Sequence, residues 1–265
     1  MQIFVLGTSG DGMLTARQSL ASGGIVIGSN DLQIHYDPGP GALAGLFRAG
    51  LNPRNTGLIL VSHNHLNHAG GAVEAIAGIT YDKIDIKGVM AAPRALFDNS
   101  GPGISIPLHY QQSLERVIPL GPGDRISIGN TEILAYPAEH GKAETLGYII
   151  RSEGLKIALP SDTVFSEEVF KPYINSDLLI LNVVNGFKFN DHKHMSADDA
   201  VLAINYCKPK SVLLTHFGTK VFNHGPMYVT REIKKIAEHD CNVITARDNL
   251  VLRYVAGTFN ANMLP

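Results

Sequence analysis

Three histidines fall within six positions in the stretch Ser62-His63-Asn64-His65-Leu66-Asn67-His68-Ala69-Gly70-Gly71. The stretch follows a strand-like apolar run, Leu58-Ile59-Leu60-Val61. His63 and His65 are two apart, so on an extended backbone their rings point the same way. His68 comes from the next turn, where Gly70 and Gly71 let the backbone bend and approach closely. Three imidazoles converging on one point suit a borderline-soft divalent ion such as zinc. A dication of that kind acidifies a bound water towards neutrality and makes it a nucleophile. The competing reading is a surface loop that is merely rich in histidine.

Delivering such a cluster requires strands that end together. Residues 1–7, 24–28 and 31–36 read as strands, the last ending at Asp37-Pro38-Gly39-Pro40-Gly41. A short helix follows with Ala42, Leu43, Leu46 and Phe47 at helical spacing. Strand 57–62 leads into the histidines, and a helix with Ala72, Val73, Ile76 and Ala77 on one face comes after them. Val89-Met90-Ala91 reads as a strand within a poorly patterned region, 86–120. There Asn99-Ser100-Gly101-Pro102-Gly103 marks a loop, so that 96–110 could act as a lid. Runs 125–128, 132–136, 146–151 and 155–159 read as consecutive strands, and 177–184 as a buried one. Helix 196–207 has Ser196 as N-cap with Asp199 three residues on. Strand 211–215, helix 226–239 and a hairpin made of 242–246 and 249–255 complete the chain.

Strands early, strands again mid-chain and two late strand–helix units predict an α/β fold with two sheets sandwiched between helices. No linker or low-complexity tract divides residues 1–265, so a single domain is expected. Hydrophobic residues are 45% and charged residues 17% of the chain, a globular composition. No apolar run approaches a membrane span. Two cysteines, Cys207 and Cys241, make no disulfide framework, and with no export signal a reducing cytoplasm is expected. A net charge of −2 argues against a broad grip on long nucleic acid, which needs a basic face. It leaves room for a small substrate held mainly by metal ions, and a homodimer stays open.

The stretch 62–71 resembles the His-x-His-x-Asp-His signature of the metallo-β-lactamase superfamily. The order of strands and helices resembles that superfamily's four-layer αβ/βα sandwich over essentially the whole chain. Four further positions match, each at the end of a strand: Asp37, His140 in Tyr136-Pro137-Ala138-Glu139-His140, Asp162 in Pro160-Ser161-Asp162, and His216 in Leu214-Thr215-His216-Phe217. The resemblance implies two divalent ions, zinc first, with manganese or iron as alternatives. His63, His65 and His140 would hold one. His68, His216 and position 67 would hold the other, with Asp162 bridging both and Asp37 supporting a ligand imidazole from behind.

Position 67 departs from the signature, being Asn67 where the superfamily has an aspartate that binds the second metal and orients the nucleophilic water. An amide oxygen is neutral and a weaker ligand than a carboxylate, and the amide can also donate hydrogen bonds. A looser second site follows, and three outcomes stand in order: a two-metal enzyme with a weak second ion, a one-metal enzyme, or a degraded protein.

For the substrate, the opening Leu6-Gly7-Thr8-Ser9-Gly10 resembles that of ribonuclease Z and of a cyclic-phosphate phosphodiesterase. His192-Lys193-His194-Met195-Ser196 resembles their later motif, in which a histidine before a helix reaches the phosphate. The resemblance therefore gives His194 and Ser9 as substrate-binding, with His194 and Asn67 in the catalytic group. A helix N-terminus behind His194 would favour an anion. Between His140 and Asp162 there is a tight strand pair and no long clamp for transfer RNA. A small or cyclic phosphodiester is the first expectation. A thioester hydrolase and a non-catalytic metal-binding protein are the alternatives.

Overall fold

Strands of alternating or continuous apolar residues build the sheets of the computed structural model, which describes residues 1–98, 102–189 and 192–263. In chain order the strands are β1 (Gln2–Gly7), β2 (Ser22–Gly28), β3 (Gln33–Tyr36), β4 (Thr56–Leu60), β5 (Val89–Pro93), β6 (Arg116–Leu120), β7 (Arg125–Ile128), β8 (Thr131–Pro137), β9 (Leu146–Ser152), β10 (Leu155–Leu159), β11 (Leu178–Asn182), β12 (Ser211–Thr215), β13 (Asn242–Thr245), β14 (Leu250–Val255) and β15 (Thr258–Met263). The helices are α1 (Gly12–Ala16), α2 (Ala42–Arg48), α3 (Leu66–Ala69), α4 (Ala72–Thr80), α5 (Leu108–Gln111), α6 (Glu167–Phe170), α7 (Ala197–Cys207), α8 (Thr219–His224) and α9 (Pro226–Ile236). Two mixed sheets result, ordered β15-β14-β1-β2-β3-β4-β5-β6 and β13-β12-β11-β10-β9-β8-β7.

Strand β4 is buried on both faces, and its residues alternate between two apolar clusters. Leu58 and Leu60 point between the sheets, where they meet Tyr148, Ile150 and Ile157. Ile59 and the following Val61 point outward and pack on Ala72, Ala75, Ile76 and Ile79 of α4. Leu46 of α2 covers Leu6 and Val26 on the same outer face. The second sheet is packed by α7, through Ala200, Ala203, Ile204 and Cys207, and by α9, through Val229 and Ile233. Each fully buried Leu or Ile contributes roughly 1.5–3 kcal/mol. The layers are helix, sheet, sheet, helix, as the sequence predicts. Among the described residues no helix is long and apolar enough to cross a membrane.

Strands β3, β4, β5 and β6 are mutually parallel, as are β10, β11, β12 and β13. Each sheet therefore brings several C-terminal strand ends to one rim. Asp37, Ser161 and His216, just beyond β3, β10 and β12, all have left-handed backbones (φ 48°, 66° and 58°). This conformation disfavours non-glycine residues, and surrounding contacts must hold it.

One expectation needs correction. Residues 242–246 and 249–255 do not form a hairpin: β13 lies parallel to β12 in the second sheet and β14 antiparallel to β1 in the first. The free edge of β1 takes β14, and the turn between them crosses from sheet to sheet, with Asn249 N donating to Val5 O at 2.8 Å. The hairpin joins β14 to β15 instead, through Ala256-Gly257 with φ 51° and 89°. That turn lacks the Asn-Gly or Asp-Gly pair that usually announces it. Within the poorly patterned region, 116–120 forms β6, an edge strand that contains Pro119. Of the expected loop, Asn99, Ser100 and Gly101 lie outside the described residues. The following stretch is pinned to the histidine loop, Asn64 Nδ2 donating to Pro102 O at 3.1 Å and Ile104 N to Asn64 O at 2.8 Å.

Candidate metal centre

His63, His65 and His140 turn one ring nitrogen each towards a common point. His63 Nε2 is 2.9 Å from His65 Nδ1, and His140 Nε2 is 3.2 Å from the same atom. Nitrogens at about 2.05 Å from a tetrahedral zinc lie about 3.3 Å apart, so the spacing suits one ion. The outward nitrogens show why these rings present lone pairs. Ser62 spends its hydroxyl proton on Asp37 Oδ2 (2.7 Å), so its oxygen accepts from His63 Nδ1 at 3.0 Å. His140 Nδ1 donates to Lys193 O at 2.8 Å. Burial is the main cause that pushes His63, His65 and His140 below the usual histidine range, which favours the neutral, ligating form.

Asp37 is the hub behind this arrangement. Its Oδ1 accepts from Ser62 N at 2.7 Å, and its Oδ2 accepts from Ser62 Oγ and, at 2.8 Å, from His68 Nδ1. One carboxylate thus orients His68 directly and His63 through Ser62. The inward His68 Nε2 lies 3.2 Å from Asp162 Oδ2. Burial alone would lower the His68 pKa, but Asp162 and Asp37 outweigh it and push it up to about 10 in the metal-free chain. A proton on Nε2 then stands where a cation would sit. Asp162 is also buried; burial would raise its pKa, yet His216 and His68 outweigh that and hold it well below the carboxylate range.

On the other side of Asp162, Oδ1 is 3.4 Å from His216 Nε2 and accepts from Asn182 Nδ2 at 2.7 Å. Asn67 Nδ2 is 3.2 Å from His216 Nε2. With the amide so oriented it caps the ring nitrogen; a half-turn would present its oxygen instead. His194 Nε2 comes within 3.9 Å of Asp162 Oδ2 and its ring stacks edgewise on His140 at 4.7 Å. Two further donor trios follow, His63 with His68 and Asp162, and His140 with Asp162 and His194. The donor set of imidazoles around one carboxylate fits divalent metal.

The structure therefore gathers His63, His65, Asn67, His68, His140, Asp162, His194 and His216, with Asp37 behind them. Ser9 is near but differently employed: its hydroxyl is 2.9 Å from Thr15 Oγ1, and it lines a cavity of about 30 Å³ with Asn67, His68, Asn182 and His216. The N-terminus of α7 is already occupied. Ser196 and Asp199 form a reciprocal capping box, and Asp198 and Asp199 make its first turn acidic, so the helix end does not favour an anion beside His194. His35, His224 and His239 bond backbone carbonyls instead, of Gly23, Lys220 and Pro209 respectively. The sequence reading missed Ser62 and Asn182. The signal for each was a small polar residue closing an apolar strand run.

Beyond His65, His140 and His194 opens a groove of about 640 Å³, lined also by Asn64, Pro102, Lys142, Glu144 and Lys193.

Comparison with known proteins bears on the family and the fold. A family model described as the β-lactamase superfamily domain matches residues 33–217. An uncharacterized protein of Methanocaldococcus jannaschii is 30% identical over 226 residues, covering 84% of this chain and 85% of its own length. A metal-dependent hydrolase of Sulfurisphaera tokodaii is 27% identical over 191 residues, 68% of this chain and 74% of that protein. Among solved structures, the metallo-β-lactamase fold protein YhfI of Bacillus subtilis matches with a TM-score of 0.79 at 17% identity, covering 94% of this chain and 98% of that one. The short form of human tRNase Z matches at 0.66 and 17% identity, covering 96% and 99%. A diphosphatase of the PhnP family matches at 0.66 and 15% identity, covering 96% and 98%. Strand-end histidines, a shared carboxylate and a matching family model over most of the fold lead to one assignment: the chain belongs to the β-lactamase superfamily, in the branch that has the metallo-β-lactamase fold and includes metal-dependent hydrolases.

Proposed function

We propose that the protein hydrolyses a small or cyclic phosphodiester with a metal-activated water. His63, His65 and His140 would hold the first cation, and His68, His216 and Asp162 the second, with Asp162 shared. When bound, the pair supplies an acidified water and positive charge against the phosphoryl oxygens. The chain's own groups do the rest. Asp37 and Ser62 keep the ligand nitrogens facing inward. The His194 side chain, 27% exposed, reaches the centre from the groove side, where it can donate to a phosphoryl oxygen or a leaving oxygen. The observation that carries the reading is this histidine together with Lys142 and Lys193 along the groove, cationic partners for an anionic ester. The likeness to a PhnP-family diphosphatase and to tRNase Z supports phosphorus chemistry in the same fold.

Asn67 gives the second position one negative charge fewer than the superfamily signature, so that ion binds more weakly. The test is a panel of bis-p-nitrophenyl phosphate and acyl-thioesters, run with zinc and with manganese, on the wild type, His194→Ala and Asn67→Asp. Phosphodiester turnover that falls by roughly 10²–10⁴-fold in His194→Ala supports the reading. Asn67→Asp should lower the cation concentration needed for half-maximal activity. Turnover of thioesters alone would replace the reading with a thioesterase. Inactivity on every ester at full metal loading would make the chain a metal-binding protein.

A further inference from the structure

We infer that Asn182 is a positioning residue for the second cation: delivered from the strand between those bearing Asp162 and His216, its amide pins one oxygen of Asp162 so that the two oxygens can serve different ions. The inference rests on the two-cation reading above. Asp162 follows β10, His216 follows β12, and β11 pairs in parallel with both; Asn182, its last residue, is in register with Thr215. The preceding residues Leu178, Leu179, Ile180 and Leu181 are all buried and apolar. Asn182 is itself only 8% exposed, and an amide there needs a partner. Its Nδ2 finds one in Asp162 Oδ1 at 2.7 Å.

The consequence is a divided carboxylate. Oδ1, held by Asn182, faces His216 Nε2 at 3.4 Å. Oδ2 lies between the two donor sets, 3.2 Å from His68 Nε2 of the second and 3.8 Å from His140 Nε2 of the first, and is the oxygen left to reach the first ion. An Asp carboxyl rotates over a broad torsional range. Unpinned, it can turn both oxygens onto the first ion and leave the second with imidazoles alone. Position 67 carries no charge in this chain, so Asp162 is the anionic ligand on which the second ion depends. A single hydrogen bond from Asn182 therefore governs that position while leaving the His63–His65–His140 trio untouched.

The experiment uses the full-length protein stripped of metal, with Asn182→Leu as a near-isostere lacking the donor and Asn182→Ala as a second variant in case leucine overpacks. Each is made in the wild type and in Asn67→Asp. Zinc is titrated calorimetrically, bound metal is counted by mass spectrometry, and thermal melting is followed without metal. The expected result is a second equivalent weakened roughly 10- to 100-fold, the loss typical when a group supporting a metal ligand is removed, with the first equivalent unchanged. Both equivalents weakening together, or neither, overturns the inference. If the wild type takes one equivalent while Asn67→Asp takes two, the two-cation reading fails for the natural chain. The Asn67→Asp background then decides on Asn182: loss of the second equivalent supports the inference and its retention overturns it. One equivalent in both backgrounds overturns both.

Discussion

Ser62 shows how one hydroxyl sets a ligand's tautomer. Its proton goes to Asp37 and its lone pair to His63 Nδ1, which leaves His63 Nε2 free to coordinate. Ser62→Ala removes the acceptor behind His63, and zinc affinity at the first position is expected to fall roughly 10- to 100-fold by calorimetry, with about 1–3 kcal/mol lost from the cation-free stability because His63 Nδ1 is left buried without that acceptor. His35 gives a separate prediction about pH. Its ring is fully buried and bonded to Gly23 O at 2.8 Å, and burial, outweighing that bond and the charge of Asp37, pushes its pKa from 6.5 down to about 4. A depressed folded pKa means full stability above pH 6.5 and loss as the pH falls towards 4. That loss amounts to about 3 kcal/mol. In denaturant titrations between pH 7 and pH 4 the wild type should therefore lose more stability than His35→Leu by that amount; parallel curves would contradict it. The candidate ligands were legible in the sequence because imidazoles at spacing two and at strand ends are rare and chemically pointed. Ser62 and Asn182 were not, since a serine or asparagine closing a strand has many ordinary uses.

At the scale of elements, the loop after β1 clasps the loop after β12 and so joins the two sheets at the rim. Gly10 N donates to Phe217 O and Phe217 N to Thr8 O, each at 2.8 Å. Asp11 Oδ2 accepts from Thr219 N and Thr219 Oγ1 at 2.6 and 2.7 Å. Asp248 ties the other side, accepting from Thr8 Oγ1 and Ala21 N at 2.8 Å. A Cβ on Gly10 would overlap the carbonyl of His216, the residue already held at φ 58°. Gly10→Ala is thus expected to cost about 1–3 kcal/mol of stability and to weaken the second cation. Urea unfolding and metal titration of the variant check both; no change in either contradicts the clasp. This explains why the opening Leu6-Gly7-Thr8-Ser9-Gly10 matters here without its serine touching the donors: it holds His216. Strand and helix positions were largely readable from period-two and helical spacing. The β13–β14 hairpin was misread because adjacency in sequence said nothing about which sheet needed an edge strand.

For the molecule as a whole, the centre is a cross-link between layers. His63, His65 and His68 follow β4 of the first sheet, while His140, Asp162 and His216 follow strands of the second. A cation held by both is bound in the folded state alone, and at 100 times its dissociation constant it adds about 2.7 kcal/mol. Melting is expected to rise by roughly 5–10 °C with zinc and to fall back with a chelator; identical curves would contradict the cross-link. The sandwich itself was legible from the order of strands and helices, whereas the groove was not, because it is made by loops 64–65, 102 and 140–144 meeting 193–194. The most direct test of the account is anomalous diffraction at the zinc edge from crystals of the zinc-loaded protein. The account predicts one peak bonded to His63 Nε2, His65 Nδ1 and His140 Nε2, and a second, weaker one about 3.5–4 Å away against His68, His216 and Asp162. A zinc-loaded crystal with no peak among these side chains would contradict it.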